Sequence, residues 1–533
     1  MTEPALSGGA ERAAPPVRGR GRALATVCGV LFLTFLDTTI MSVALADVQD
    51  KLHAGVSQMQ WVVNAYALVF AAFMLAAGTL GDRIGRKKVM LGGVVVFAGG
   101  SLVGALAPST AVLIAGRGIM GIGAAACEPG TLSVIRHLYP DRRARARALG
   151  IWSAVAGLAL AMGPVFGGLL TGAGGWRAIF WFNLAAAVVA LTAAWLVLPE
   201  SADPEGTGFD VPGYILGPAA IGTIVFAIIL GETMGYSAPA IIALFAIGAA
   251  ATVAFVVVEE RSRSPMLDMK YMRKPPFAGS LIVAFAAYFG VFSIFFLTAL
   301  YLQVVIGYSP YRIAALFGPM AVAMILASAL AGRWVARAGP RVPVAFGAVA
   351  AAAGVLLTNI GLTGSAHFEF LALSLMLAGL GFGVVVVPVT SVALSVVPAA
   401  RSGMAASATT TSRELGAVIG VAVLGSLFNN QLIQDLTRRL IQLDVPAPFR
   451  EVVINAVLTG TVPRGGQGPA AAQAQYGSVV NKVVNAAYGA FHTGVSISLT
   501  VAGLVILASG VVAWVTFSPR QYEVDVECLE QHC

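Results

Sequence analysis

Residues 78–91 read GTLGDRIGRKKVML, a short charged joint between two apolar runs at about 60–80 and 88–107. Each run has about the 20 residues that cross the hydrocarbon core of a bilayer as a helix. Arg83, Arg86, Lys87 and Lys88 crowd into the joint, as basic residues do on the cytoplasmic side of membrane proteins. Gly78 and Gly85 permit close helix approach and a tight turn. Asp82 can accept from helix N-terminal amides or from an arginine, which would make the joint a latch between helices.

The joint recurs. Gly78, Arg83 and Gly85 return 254 residues later as Gly332, Arg337 and Gly339 in GRWVARAGPR, with Ala336 in place of the acid and Pro340 in place of Arg86. A looser echo links GIGAAACEPGT, from Gly121, to GLGFGVVVVPVT, from Gly379, at nearly the same offset. Two six-helix halves separated by a two-helix insert at about 212–259 account for both echoes. Secondary transporters use repeated halves in this way, rocking one bundle against the other around a site near the midplane.

The rest of the chain agrees with an all-α integral membrane protein. Of its 533 residues 58% are hydrophobic and 11% charged, against about 25% charged in soluble domains. Fourteen apolar blocks stand out, at 24–46, 60–80, 88–107, 110–138, 146–171, 177–198, 212–231, 238–259, 277–306, 311–333, 341–362, 367–390, 402–428 and 488–516. The predicted organisation is a basic tail (1–23), a six-helix bundle (24–198), a two-helix insert with linkers (199–276), a second six-helix bundle (277–516) and a tail (517–533). The long outer joint at 429–487 contains the amphipathic stretch NNQLIQDLTRRLIQL, which fits either a small external hairpin or cap, or a flexible connector.

With both termini in the cytoplasm, 23 of the 33 Lys and Arg lie inside, 8 outside, and Arg117 and Arg413 lie within spans. An arginine-rich leader before the first span raises the possibility of a cleaved signal, but Asp37 within the apolar run argues for a retained helix. The net charge of +8 reflects this topology, and no aromatic-studded basic groove points to nucleic acid. Four scattered cysteines give no disulfide framework, and Cys528 and Cys533, with only His532 beside them, are weak evidence for a metal site. Five dispersed histidines, with no HExxH and no GxxxxGK[ST] loop, argue against an enzyme or an ATP-driven pump. No metal or cofactor is expected.

Charged residues inside the spans are the candidate working groups. VCGVLFLTFLDTTIMSVALA, Val27 to Ala46, carries Asp37. An ionised Asp at mid-bilayer costs roughly 2.5–3.5 kcal/mol on insertion scales, so it must face protein or water, or find a cation. Arg117 lies in LIAGRGIMGIGAAA, Glu128 precedes Pro129, and Glu414 adjoins Arg413 in TTSRELGAVIGVAVLG. In AGLALAMGPVFGGLL, Gly163, Pro164, Gly167 and Gly168 describe a kinked, smooth-faced helix. Trp61, Tyr66, Phe292, Phe295, Phe296 and Tyr301 are candidate cavity aromatics.

From its first span to its last the chain resembles the fourteen-span drug:proton antiporter branch of the major facilitator superfamily. Residues 78–91 fit that superfamily's joint between spans two and three at every defining position. The Arg117 segment matches a second motif, with Met120 where glutamine is usual. Span five matches the motif of antiporters, with Ala159 replacing its first glycine. LDTTIMSVALA resembles the first-span motif, with Ser42 and Ala46 where asparagine and proline are usual. The Glu414 segment is similar to span thirteen, whereas Glu128 stands where the family has an apolar residue.

The resemblance implies two six-helix bundles plus two inserted helices, working as a monomer in the cytoplasmic membrane. It implies proton-coupled export of hydrophobic, often cationic drugs or antibiotics. Export of one endogenous metabolite or lipid is an alternative, and a facilitator or symporter a weaker one. The partners implied are a small hydrophobic or cationic substrate, protons and membrane lipid. Asp37, then Glu414, then Glu128, with Arg117, would couple proton to substrate. Gly78, Asp82, Arg83, Gly85 and Arg86 would gate the inner face. Gly163, Pro164, Gly167 and Gly168 would form the antiporter helix. At Asp37, proton and cation would compete for one group. Arg413 pairing with Glu414 would remove that acid from the exchange, and Trp176-Arg177 would mark the outer start of span six.

Overall fold

A computed structural model describes residues 19–54, 56–200, 210–262, 264–308, 310–363, 367–398, 401–458 and 470–517. Within them the chain is helical and contains no strand. Backbone groups in lipid must be satisfied within their own segment, which long apolar runs achieve as helices. In order these are α1 Arg20–Ile40, α2 Leu45–Leu52, α3 Val56–Ile84, α4 Arg86–Ala105, α5 Thr110–Leu138, α6 Arg142–Gly174, α7 Arg177–Val197, α8 Val211–Met234, α9 Pro239–Arg261, α10 Met269–Met272, α11 Pro275–Val304, α12 Pro310–Ala338, α13 Arg341–Thr363, α14 Phe368–Val396, α15 Ser402–Gln442, α16 Ala447–Leu458 and α17 Ala470–Thr516. Thirteen of them contain straight stretches long and apolar enough to span a bilayer, and α6, bent by 43°, makes fourteen.

Two boundaries differ from the sequence reading. The first helix ends at Ile40, and a 3-10 turn, Met41–Val43, leads into α2. Asp37 therefore lies in the last turn of α1 rather than near the centre of a span. The expected outer joint is largely helical, because α15 continues to Gln442, α16 follows, and α17 begins at Ala470. Leu432, Leu436 and Leu440 recur every fourth residue and are buried in the second core, so the amphipathic stretch lengthens α15. Residues 459–469 lie outside the described ones.

There are two apolar cores. One gathers side chains mainly from α1 through α7 and reaches across to the basic-side ends of α14 and α15, at Leu394 and Met404 for example, and the other gathers side chains from α11 through α17. The inserted pair, α8 and α9, packs on itself and on α3, with a smaller contact on α15. The sequence repeat has a structural counterpart: α3 ends at Ile84 and α12 at Ala338, 254 residues apart, each followed by a glycine with positive φ, Gly85 at 117° and Gly339 at 69°. Only a residue without Cβ adopts that backbone freely. The echoing helices α5 and α14 each have 29 residues.

The two bundles meet through small residues. A Cβ on Gly78 would lie 2.4 Å from Cβ of Ser407, one on Gly150 2.9 Å from the Ser328 carbonyl oxygen, and one on Gly157 2.8 Å from Cε of Met324. Arg136 Nη2 donates to the Val397 carbonyl at 2.6 Å. All these contacts lie in the half of the molecule that carries the 78–88 joint, here called the basic face. Toward the opposite face the close glycine contacts stay within a bundle, Gly163 and Gly167 against α1, Gly416 and Gly420 against α11. The bundles are therefore shut together on the basic face.

Candidate functional site

Residues 78–88 tie the end of α3 to the start of α15, an arrangement called the latch below. Asp82, buried at the end of α3, accepts from the Gly403 N–H at 2.9 Å and the Met404 N–H at 3.0 Å, the free amides at the start of α15 in the other bundle. A carboxylate at a helix N-terminus satisfies orphan donors and complements the helix dipole. Arg86 holds the same carboxylate with Nε at 3.0 Å and Nη2 at 2.8 Å. Gly85 turns the chain between α3 and α4, and Gly78 lets α15 come close. Arg83 points elsewhere: Nη2 donates to the Ser264 carbonyl, and the guanidinium lies 5.8 Å from the Tyr214 ring centre. The joint thus binds both the opposite bundle and the strand of chain leaving the insert.

Asp37 is fully buried and has no free oxygen. Oδ2 accepts from Arg117 Nη1, which forms an ion pair with it, and Oδ1 accepts from Asn183 Nδ2 at 2.6 Å. Arg117 is itself fixed, with Nε on the Val62 carbonyl at 2.9 Å and its guanidinium 4.6 Å from the Tyr66 ring centre. Tyr66 completes the cluster by donating to the Thr34 carbonyl at 3.0 Å. Four helices, α1, α3, α5 and α7, thereby converge on one charge pair. Ion pairs this deep stand only when their remaining donors and acceptors are satisfied. Asn183 and the Val62 carbonyl supply that here.

A second cluster lies nearer mid-depth, between the bundles. Glu128 is buried on α5 with Oε2 unpartnered. It is within electrostatic reach of Glu414 and Arg413 on α15. Among the described residues no ion pair joins Arg413 to either acid: its Nη2 donates to Thr390 Oγ1, and its Nη1 is unpartnered. The guanidinium stands 5.6 Å from the rings of both Trp152 and Tyr288, one from each bundle. Trp152 Nε1 donates to Thr131 Oγ1 at 2.9 Å, and that hydroxyl donates to the Glu128 carbonyl at 2.6 Å. Eleven residues make three helical turns, so Arg117 and Glu128 share one face of α5. Tyr66 feels both clusters.

The α6 motif has a local chemical reason. Proline has no N–H, so Pro164 leaves the carbonyl four residues back without its helical donor. That carbonyl belongs to Leu160, and Thr39 Oγ1 of α1 donates to it at 3.0 Å. A Cβ on Gly163 would fall 1.9 Å from the same Thr39 oxygen, and one on Gly167 2.4 Å from the Ile40 carbonyl. Gly168 has ordinary space toward Val43. The side chain of Pro164 lies outside the described residues.

The charged groups singled out from the sequence fall into three clusters: the latch, the Asp37–Arg117 pair, and Glu128 with Glu414 around Arg413. Asn183, Trp152, Tyr288 and Thr390 were not singled out from the sequence. Asn183 had a signal, as an amide inside the apolar run at 178–197. Of the candidate aromatics, Trp61 packs on Phe226 of the insert, Phe295 on Phe317, and Tyr301 on Phe491 and His492. Trp176 is buried beneath the Arg177 guanidinium, 4.2 Å from the ring centre. An apolar recess of about 600 Å³ between α3, α8 and α9, lined by Phe73, Ile215 and Phe226 among others, contains none of these acids.

Residues 27–421 match the model of the Major Facilitator Superfamily. The chain is 36% identical over 440 residues to the multidrug resistance protein Stp of Mycobacterium tuberculosis, covering 81% of this chain and 80% of that one. It is 31% identical over 538 residues to the tetracenomycin C resistance and export protein of Streptomyces glaucescens, covering 98% and 96%. Among solved structures, the human organic anion transporter MFSD10 (TETRAN) superposes with a TM-score of 0.60 at 15% identity, over 93% of this chain and 99% of that one. The helical architecture, the two cores and these matches agree: the chain is a multi-pass membrane protein that belongs to the Major Facilitator Superfamily.

Proposed function

We propose that the protein is a proton-coupled antiporter that exports hydrophobic, often cationic drugs or antibiotics across the cytoplasmic membrane. Its basic face and both termini lie in the cytoplasm. The observation that carries this reading is the mid-depth cluster, where a buried acid with a free oxygen, Glu128, and a second acid, Glu414, flank an arginine that neither neutralises. Buried carboxylates without partners are costly unless they are protonated or paired, and an ionisable residue kept inside a membrane bundle points to a proton or substrate pathway. The relatives named for multidrug resistance and for antibiotic export support the substrate class.

In this reading the described state is closed to the cytoplasm. Glu128 and Glu414 take protons from the opposite side as cargo leaves. Protonation of Asp37 releases Arg117, loosening α1 and α7 from α5, and the latch at Asp82 opens in turn. One proton moving inward through 100 mV supplies about 2.3 kcal/mol, enough to drive export without ATP.

The test is uptake of a cationic dye by inverted vesicles holding the purified protein, with and without an imposed pH gradient. Wild type should accumulate dye only with the gradient. Glu128→Gln and Glu414→Gln should each lower gradient-driven uptake by at least about tenfold, and Asp37→Asn should abolish it. Gradient-independent uptake that all three variants leave intact would exclude proton exchange.

A further inference from the structure

Two more buried carboxylates, outside all three clusters, meet where the insert joins the basic face. Asp210 caps α8: its Oδ1 accepts from the Gly213 N–H at 3.1 Å, and Oδ2 is unpartnered. Glu259 lies in the last turn of α9: its Oε2 accepts from the Leu267 N–H at 3.0 Å, and Oε1 is unpartnered. The two residues are 5% and 2% exposed, so neither orphan oxygen faces bulk solvent. The two orphan oxygens face the same point. A Cβ on Gly213 would lie 2.7 Å from Glu259 Oε1 and 2.9 Å from Asp210 Oδ2. Glycine at 213 leaves that point unfilled.

Two anionic oxygens converging in a buried pocket repel, and such pairs are stable when one positive charge lies between them. The charged and titratable groups around the pair do not supply it by direct contact. Arg83 on α3 is within electrostatic reach of Glu259, but neither orphan oxygen receives a hydrogen bond from it. Asp82 on α3 adds negative charge near Tyr214, the neighbour on α8. In the linker Asp268 is paired with Arg401 at 2.7 Å, and on α9 Glu260 is paired with Arg273 at 2.7 Å. A hard metal ion takes six or more oxygens, and two are offered here. A proton needs only two.

We propose that Asp210 and Glu259 bind one proton between them, forming a proton site separate from the transport pathway. The site clasps the insert to the latch. Glu259 holds the linker through Leu267. The Ser264 carbonyl of that linker receives Arg83, and the Asp268 N–H rests on the Met404 sulfur at 3.4 Å, beside the amides that Asp82 accepts. With the proton present the acids hold together and the linker lies across the closed latch. Its loss places two like charges face to face and frees the linker.

The full-length protein in lipid nanodiscs tests this by infrared titration of the carboxylic-acid C=O stretch. Wild type should carry a protonated-carboxyl band, lost as the pH is raised, that both Glu259→Gln and Asp210→Asn remove. Glu259→Gln keeps an acceptor for the Leu267 N–H. Gly213→Ala, which keeps both acids and suits a helix, should shift the titration of this band by about tenfold in proton affinity, because its methyl occupies the shared point. Replacing choline by sodium at fixed pH should change nothing. The same band at full amplitude in both acid variants, or a sodium-dependent loss of it, would overturn the proposal.

Discussion

Asp82 and Gly403, 321 residues apart in sequence, are joined by a 2.9 Å hydrogen bond that caps a helix of one bundle with a carboxylate of the other. The bond exists only while the bundles are closed on the basic face. Asp82→Asn keeps the shape of the side chain but removes the charge that complements the α15 dipole and pairs with Arg86. Loss of such a cap costs about 1–2 kcal/mol. The expected outcome is a shift toward opening at this face. It would be read as several-fold faster labelling of Ser407→Cys by a membrane-impermeant thiol reagent reaching the basic face, with Cys528 and Cys533 replaced by Ser. Equal labelling with and without Asp82→Asn would show that the bond does not hold the bundles shut.

Arg117 and Asp37 predict an asymmetry between single variants. Arg117→Ala strands an ionised acid among apolar helices and should lower stability by about 3–5 kcal/mol. Asp37→Asn removes the charge that holds Arg117 but keeps an amide for Asn183, and Arg117 retains the Val62 carbonyl and the Tyr66 ring, so this variant should cost less. Combining the two should restore part of what Arg117→Ala loses. Thermal unfolding of the purified proteins reads all three, and a double variant no more stable than Arg117→Ala would mean the pair is not the coupled unit described.

The sequence made the fold legible because block length and charge placement are local properties. The 254-residue repeat could be checked against itself, and the backbones of Gly85 and Gly339 carry it. The latch was readable because Asp82 stands between two glycines in a basic joint, a pattern with a local meaning. The second partner of Asp37 was not readable from spacing, since Asn183 comes from α7, 146 residues away. The end of α1 was missed because the turn at Met41–Val43 contains neither glycine nor proline. The extension of α15 was missed for a different reason: hydropathy stops reporting a helix once it leaves the apolar stretch, although Leu432, Leu436 and Leu440 already had helical spacing.

Gly163 and Thr39 form a lock that one substitution should break and a second should repair. Gly163→Ala places a methyl where the Thr39 hydroxyl lies, and overpacking of this kind costs about 1–3 kcal/mol. Adding Thr39→Ala removes the clashing oxygen, at the expense of the donor to Leu160. The double variant should therefore be more stable than Gly163→Ala alone. Thr39→Ala by itself should lose only the hydrogen bond, about 1 kcal/mol. Strictly additive unfolding temperatures would refute the lock.

Asp47 gives a pH dependence whose sign is fixed. It lies in α2, outside the spans, and its Oδ2 accepts from the Trp176 N–H at 2.7 Å, while Lys51 pairs with the carboxylate at 3.0 Å. Burial pushes its carboxyl up, but the Trp176 amide, Lys51 and Arg177 outweigh burial and leave it below its ordinary value. The folded protein thus favours the ionised form, so the cap on α7 contributes fully at neutral pH, above the usual carboxylate range near 4. The contribution fades as the pH falls through that range and below it. Asp47→Asn should be less stable than wild type by about 1 kcal/mol or less at pH 7, because the group is partly exposed. The difference should shrink steadily as the pH falls through the carboxylate range and below it, as the Asp47 carboxyl takes up its proton. Unfolding temperatures of the two proteins across this range check the sign, and a gap that widens on acidification would reverse the assignment.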